Sequence, residues 1–302
     1  MAEEKKTGGK KHITGARIAK EVRQYKKDVF LSPMYTTFCV ILEILIPYLT
    51  ASIIDKGIAV GDMGHVARIG ALMAVMAVLA MFCGMRAGIH SARASTGLAS
   101  NLRESMFSRI QDYSFSNIDK FSTAGLVTRL TTDVTNIQNA FQMLLMICTR
   151  SPVTLIVALF MAFSISAKLS LIFLVAMAFL AVMLVIFIPK AMGYFKQMFK
   201  KYDKVNGVVK ENVGAIRVVK AFVREDYEDQ KFSDAAGELF QNSISAERII
   251  SFSMPIMQLT VYGCILLISW FGAKMIVNQT GLTTGELTSL LSYVMNILMS
   301  LM

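Results

Sequence analysis

Proline is sparse in this 302-residue chain, and its distribution is uneven. The five prolines, Pro33, Pro47, Pro152, Pro189 and Pro255, all lie in or at the edge of apolar runs, and none falls in 89–151 or 190–254. Proline stops or kinks helices, so both stretches are free to continue helically out of the runs before them. Charge is scarce too. Asp, Glu, Lys and Arg make up 17% of the residues and 54% are hydrophobic, whereas a soluble domain carries about a quarter charged. The balance speaks against a soluble globular domain. The four cysteines (Cys39, Cys83, Cys148, Cys264) sit inside apolar runs without metal-ligand spacing, which disfavours a zinc site or a disulfide framework. His12, His65 and His90 are isolated, and neither a metal site nor a Ser-His-Asp or Cys-His arrangement is indicated. A G-x-x-x-x-G-K-[ST] phosphate loop is missing; TGARIAK and STAGLVTR do not meet its spacing.

What the chain does have is apolar length. Five runs, at 30–54, 66–89, 140–166, 169–189 and 249–273, are long enough to cross about 30 Å of hydrocarbon. A sixth opens at Leu287 and is still apolar at Met302, which reads as a span truncated by the end of the chain. The polar N-terminus and the long first run do not fit a secretory signal. The formal net charge of +10 is concentrated on one side: nine Lys/Arg in 1–28, five in 89–139 and eleven in 190–248. The alternate connections hold four, Lys56, Arg68, Lys168 and Lys274. This positive-inside pattern puts the N-terminus and the loops 90–139 and 190–248 in the cytoplasm. Basic charge therefore orients a multi-pass membrane protein and gives no reason to invoke nucleic acid.

Residues 1–12 read as a solvated tail. After them Ile18, Val22, Tyr25 and Val29 recur at helical spacing among Lys and Arg, the pattern of an interfacial elbow helix within 1–28. In the first long loop Leu98, Leu102, Met106, Phe107 and Ile110 share a helical face; in the second, Val209, Val213, Ile216, Val219 and Val223 do. A helix over 89–113 would reach roughly 37 Å past the bilayer at about 1.5 Å per residue. Each loop must reverse at its far tip. FSNIDKFSTAG supplies turn and cap formers, and LVTRLTTDVTNIQNAF then runs helically back to the third span. The second loop turns around Gly214, with a short helix over AIRVVKAFVRE. A charged helical tip far from lipid has no membrane role and points to a cytoplasmic partner; hairpins that only pack on each other are the alternative.

These segments also resemble a known family. NIDKFSTAGLVTRLTTDVTNIQ resembles the first intracellular loop of ATP-binding-cassette (ABC) exporters, and VVKENVGAIRVVKAFVREDYEDQKF resembles the second. IIDKGI after the first span and RSP in the third are similar to bacterial multidrug-type half-transporters, and the resemblance runs from about Thr14 onward. It implies an all-α membrane protein: a six-helix exporter transmembrane domain over 29–302 with long cytoplasmic helical extensions, in a bacterial inner membrane. It also implies two coupling helices that carry closure of nucleotide-binding domains into the membrane. The first maps to Ile118, Asp119, Lys120, Phe121 and Gly125, and the second to Ala215, Arg217, Val218, Ala221 and Phe222. The implied partners are a second half-transporter subunit, identical or not, and the nucleotide-binding domains of both chains. Membrane lipid and an amphiphilic small-molecule, lipid or peptide substrate complete the set. ATP and Mg2+ belong to the nucleotide-binding domain, for which these residues hold no ATP site.

Polar residues inside the spans are candidate cavity residues. Glu43 lies midway along the first span and Arg150 within the third. A charge at the bilayer centre costs about 2.5–3.5 kcal/mol on insertion scales, so each must face protein or water. Glu43 can line a substrate cavity or make a structural hydrogen bond; Arg150 can line the cavity, pair with Glu43 or snorkel to an interface. Gln142, Gln258 and Asn296 are further candidates. The 21 methionines read more simply as packing than as an adaptable substrate surface. Two other classes compete with an exporter domain: an ion-coupled secondary transporter using Glu43 and Arg150, and a membrane scaffold that binds a cytoplasmic partner. Long hairpins with soluble tips have no obvious use in the former, and no pair of Gly/Pro-broken helices marks two repeats.

Overall fold

A computed structural model describes residues 18, 20–114 and 122–301. Among these, the ordered elements are helical, with no strand. A 3-10 turn, Arg23–Tyr25, leads into α1 (Lys26–Ser52), which continues as a π-helical segment Ile53–Ile58. Then come α2 (Met63–Gln111), α3 (Thr123–Thr128), a π-helical segment Arg129–Asp133, and α4 (Val134–Ile165). α5 (Ala167–Gly214), the short α6 (Ile216–Ala221), α7 (Glu225–Val277) and α8 (Thr284–Leu301) complete the order. The chain divides into two units, one formed by the described residues of 1–166 with 274–301, the other by 167–273.

Among the described residues, five helices are long and apolar enough to cross a membrane. α2 has 49 residues, α5 has 48 and α7 has 53. At about 1.5 Å per residue each is roughly 70–80 Å long, more than twice the hydrocarbon thickness. The proline-poor stretches are thus helical extensions of spans, as their periodicity predicts. The prolines themselves do not end the helices: α5 runs on through Pro189 and α7 through Pro255. Inside a membrane, neighbouring helices and hydroxyls satisfy the backbone groups a proline frees.

In the first unit α8 is the most enclosed element. Ser289, Leu290, Tyr293, Val294, Ile297 and Leu298 are buried at three- and four-residue spacing, and the helix packs on α1 and α4. This helix coincides with the short sixth run. Its inward face bonds to protein: Tyr293 Oη donates to the Ile44 carbonyl at 3.1 Å, and Ser289 Oγ donates to the Pro47 carbonyl. The amphipathic leader residues Ile18, Val22, Tyr25 and Val29 pack on the extension of α2 and the start of α4, against Leu98, Leu102, Val134, Ile137 and Phe141. Gly97 makes room for this: a Cβ there would lie 2.3 Å from the Tyr25 ring.

In the second unit, Leu169, Phe173, Ala176, Leu180 and Met183 form a buried stripe on α5. Farther along, long side chains bridge α5 and α7. Lys201 Nζ meets Glu238 at 2.6 Å, Lys204 Nζ meets it at 3.0 Å, and Lys231 Nζ meets Glu211 at 2.9 Å. The hydrogen bonds from Lys201 and Lys204 hold the Glu238 carboxyl below its ordinary range, and the bond to Glu211 pushes Lys231 up. A lowered carboxyl pKa contributes stability above its unfolded value, near 4.3 for Glu, that is lost as pH falls through the folded value. A raised lysine contributes below its unfolded value and loses this as pH rises through the folded one. Amide exchange of the 201–238 hairpin, corrected for intrinsic rates, is therefore expected to hold steady around neutrality and to quicken on acidification below about pH 4. Glu238→Gln is expected to flatten that acid limb. An acid limb identical in the variant would rule Glu238 out as its cause.

Candidate functional site

The far end of the α5–α7 hairpin is built by two breaks in the helix. α5 ends at Gly214; Ala215 leaves helical geometry (φ −107°, ψ 16°) and α6 begins at Ile216. The reversal is completed at Phe222–Arg224, where Val223 adopts φ +51°, an unusual conformation for a β-branched residue. The sequence reading puts the turn at Gly214, yet the left-handed residue is Val223, because α6 interposes a turn of helix before the chain can return. Val219 is tucked inward, and Arg224 N–H closes back on its carbonyl at 3.0 Å. Around it Arg217, Val218, Lys220 and Ala221 are exposed, with Phe222 73% and Val223 81% exposed, while Ala215 is half-buried. Ile216 and Val223 extend this apolar surface beyond the residues named from the sequence. Both belong to the helical face read from the sequence, which the structure interrupts at Ala215 and again at Phe222–Arg224. An exposed apolar cluster rimmed by basic side chains has the chemistry of a docking surface.

In the first long loop, Ile118, Asp119, Lys120 and Phe121 lie outside the described residues. Gly125 lies within α3, whose N-terminus is capped by Ser122: Gly125 N–H donates to Ser122 Oγ at 3.1 Å. From there the chain is helical through to Ile165, as LVTRLTTDVTNIQNAF predicts.

The polar residues of the spans fall into separate places. Arg150 Nη2 on α4 meets Glu43 Oε2 on α1 at 2.6 Å, with the two side chains 53% and 42% exposed. Of the open roles, Arg150 therefore pairs with Glu43. Cys39 Sγ lies 3.4 Å from the other carboxylate oxygen. The pair opens on a cavity of about 230 Å³ between α1, α4 and α8, which Asn296 also lines together with Ser151 and Thr154. Gln142 lies on α4, partly exposed, away from that lining. Gln258 belongs to the second unit, where its amide donates to the Tyr262 hydroxyl at 3.4 Å.

Beyond the C-terminal end of α1, the IIDKGI segment forms a latch that sequence reasoning did not assign. Asp55 on the π-helical turn accepts hydrogen bonds from Thr283 Oγ1 and, at 2.8 Å, from Gly285 N–H. Thr283 and Glu286 form a reciprocal capping box at the start of α8: Glu286 N–H donates to Thr283 Oγ1 at 3.2 Å, and Thr283 N–H donates to Glu286 at 3.0 Å. The T-x-x-E spacing at 283–286 was the available signal. His90 is likewise not isolated, since its Nδ1 lies 2.7 Å from Asp28 and its ring stacks on Tyr35. Among the described residues no group of three or more His, Cys, Asp or Glu could hold a metal ion.

Apolar helices of membrane length, two of them joined in a long hairpin with an exposed apolar tip, give the architecture of a helical membrane domain. Residues 29–302 match the family model of the ABC transporter transmembrane region, and the chain belongs to that family. It is 32% identical over 252 residues to the uncharacterized ABC transporter ATP-binding protein YfiB of Bacillus subtilis, covering 83% of this chain and 44% of that protein. The uncharacterized ABC transporter ATP-binding protein Rv1273c of Mycobacterium tuberculosis is 29% identical over 287 residues, 95% of this chain and 49% of that one. The ATP-dependent lipid A-core flippase of Hahella chejuensis is 26% identical over 216 residues, 69% of this chain and 35% of that one. The chain spans about half the length of the first curated relatives it matches.

Proposed function

We propose that this chain is the transmembrane part of an ATP-driven exporter, forming the translocation pathway and receiving nucleotide-domain closure through two coupling segments. The observation that carries the reading is the α6 tip: apolar Phe222, Val218 and Val223, rimmed by Arg217, Lys220 and Arg224, at the end of a hairpin of two helices of 48 and 53 residues. A rigid hairpin of that length converts displacement of its tip into movement of α5 and α7 within the bilayer. The first coupling segment, through Phe121, acts in the same way on α2 and α4. Nucleotide and Mg2+ belong to nucleotide-binding domains outside these residues, those serving this subunit and a second half-transporter subunit. The tips and N-terminus lie in the cytoplasm of a bacterial cell and the spans in its inner membrane; the excess of Lys/Arg in 1–28, 90–139 and 190–248 supports the orientation, and bacterial relatives support the membrane. An amphiphilic substrate fits the mixed polar and apolar cavity beside Glu43, and a lipid-transporting relative supports that class.

The test is Phe222→Ala in the complete transporter reconstituted in proteoliposomes. An exposed aromatic anchor of a docking surface costs about 2 kcal/mol or more on truncation. Transport of a fluorescent amphiphile per ATP hydrolysed is therefore expected to fall by more than about tenfold, with basal hydrolysis and membrane insertion retained. Unchanged coupling in both Phe222→Ala and Phe121→Ala would remove the lever from the reading.

A further inference from the structure

The cavity beside the Glu43–Arg150 pair has a composition that selects among substrates. We propose that it recognises a zwitterionic headgroup, the ligand's cation meeting Glu43 and its anion meeting Arg150; this rests on the reading of the cavity as part of the translocation pathway.

Four observations support it. Both charges lie well inside their spans, yet each side chain is about half exposed, so the pair faces open space and is not sealed between helices. The contact uses one guanidinium nitrogen, Nη2, and a guanidinium carries five N–H donors, which leaves a fork able to take an anion without first losing Glu43. The surrounding surface is mixed: Thr154 and Asn296 offer neutral hydrogen-bonding groups, and Val40 and Met299 offer apolar ones. Finally, the volume of about 230 Å³ is below the roughly 300–1,000 Å³ that encloses a whole drug-sized ligand. It fits a headgroup whose tail lies outside.

The selectivity follows from charge balance. The pair is formally neutral. A purely cationic head leaves the site with a net positive charge, and a purely anionic head on the free guanidinium fork leaves it with a net negative one. An uncompensated charge within a membrane span is unfavourable. A head bearing both signs pairs both groups again, while a nonionic head has to compete with an intact ion pair. Specificity here comes as much from what the wrong heads leave stranded as from what the right one contacts.

The experiment measures binding to the reconstituted protein without nucleotide, so that its outcome is separate from that of the coupling test. Four tail-labelled fluorescent amphiphiles of one chain length carry phosphocholine, trimethylammonium, phosphate or oligo(ethylene glycol) heads, and anisotropy reports affinity. The phosphocholine amphiphile is expected to bind at least about tenfold more tightly than the other three. Glu43→Gln should turn the preference toward the phosphate head, and Arg150→Gln toward the trimethylammonium head. The double exchange Glu43→Arg with Arg150→Glu, which restores a pair, should return it to phosphocholine. A role confined to holding α1 against α4 would leave the order of heads unchanged in every variant. Equal affinity for the four heads, or the same order in all variants, overturns the proposal even if Phe222 proves to couple transport to ATP. Should a single variant fail to insert, the charge exchange alone decides on the same criteria. Competition by free phosphocholine would identify a soluble zwitterion as the source; binding of the amphiphile without such competition would identify a lipid.

Discussion

Gly285→Val is expected to destabilise the first unit by about 3–5 kcal/mol, through overpacking and a lost charge-assisted hydrogen bond. A Cβ at this position would lie 2.4 Å from the Ala51 carbonyl oxygen, 2.8 Å from the Ala51 Cα and 2.6 Å from the Asp55 carboxylate. Two of those atoms are backbone and cannot swing aside. The start of α8 must therefore move away from α1, and movement breaks the 2.8 Å bond from Gly285 N–H to Asp55. That bond matters beyond its own strength, since the Asp55 carboxylate sits at the positive end of the α8 dipole. In thermal unfolding of detergent-solubilised protein the midpoint should drop by about 5–10 °C. Asp55→Asn separates the two effects, because it keeps the space and removes the charge; a loss of only about 1 kcal/mol is expected. A Gly285→Val protein with an unchanged midpoint would mean that α8 is not seated on α1 at this point.

The second large effect is expected at Tyr293. Its side chain is 0% exposed and its hydroxyl reaches the Ile44 carbonyl at 3.1 Å. Tyr293→Ala removes a ring from the centre of α8 and leaves a cavity that rigid helices fill poorly, at about 3–5 kcal/mol. Tyr293→Phe keeps the ring and loses the hydrogen bond, at about 1 kcal/mol. The ratio of the two midpoint shifts is the measurement. Equal shifts would assign the contribution to the hydroxyl, and a small shift for alanine would show that α8 repacks freely.

These two residues also show where sequence reasoning stops. In the sequence, Tyr293 and Ser289 are polar residues of a sixth apolar run, and hydropathy does not show which neighbour they meet. Hydropathy measures affinity for lipid, and the face of α8 that carries Tyr293 and Ser289 meets α1 instead. The same logic explains Asp55: in the sequence it is a charged residue in an external loop, and its partners Thr283 and Gly285 lie more than two hundred positions away. Conversely, the long extensions were legible. A 3.6-residue repeat without proline leaves a chain little alternative to helix; the extension of α2 follows it throughout, and the second repeat follows it in α5 as far as Gly214.

The sequence by itself determined the class: five apolar runs of membrane length, basic charge concentrated in the N-terminus and the two long loops, and loop motifs that resemble those of one family, to which the chain belongs. Those properties are local or compositional, so they can be read without knowing which helix meets which. The tertiary structure alone decided that Glu43 faces Arg150 and Asn296, while Gln142 lies away from that cavity and Gln258 in the other unit. It also decided that Val223 and not Gly214 carries the left-handed turn at the hairpin tip. Pairing across helices depends on rotation and depth, and a one-residue change in either turns a side chain by about 100° about its helix. That angle separates a charge facing its partner from one facing lipid.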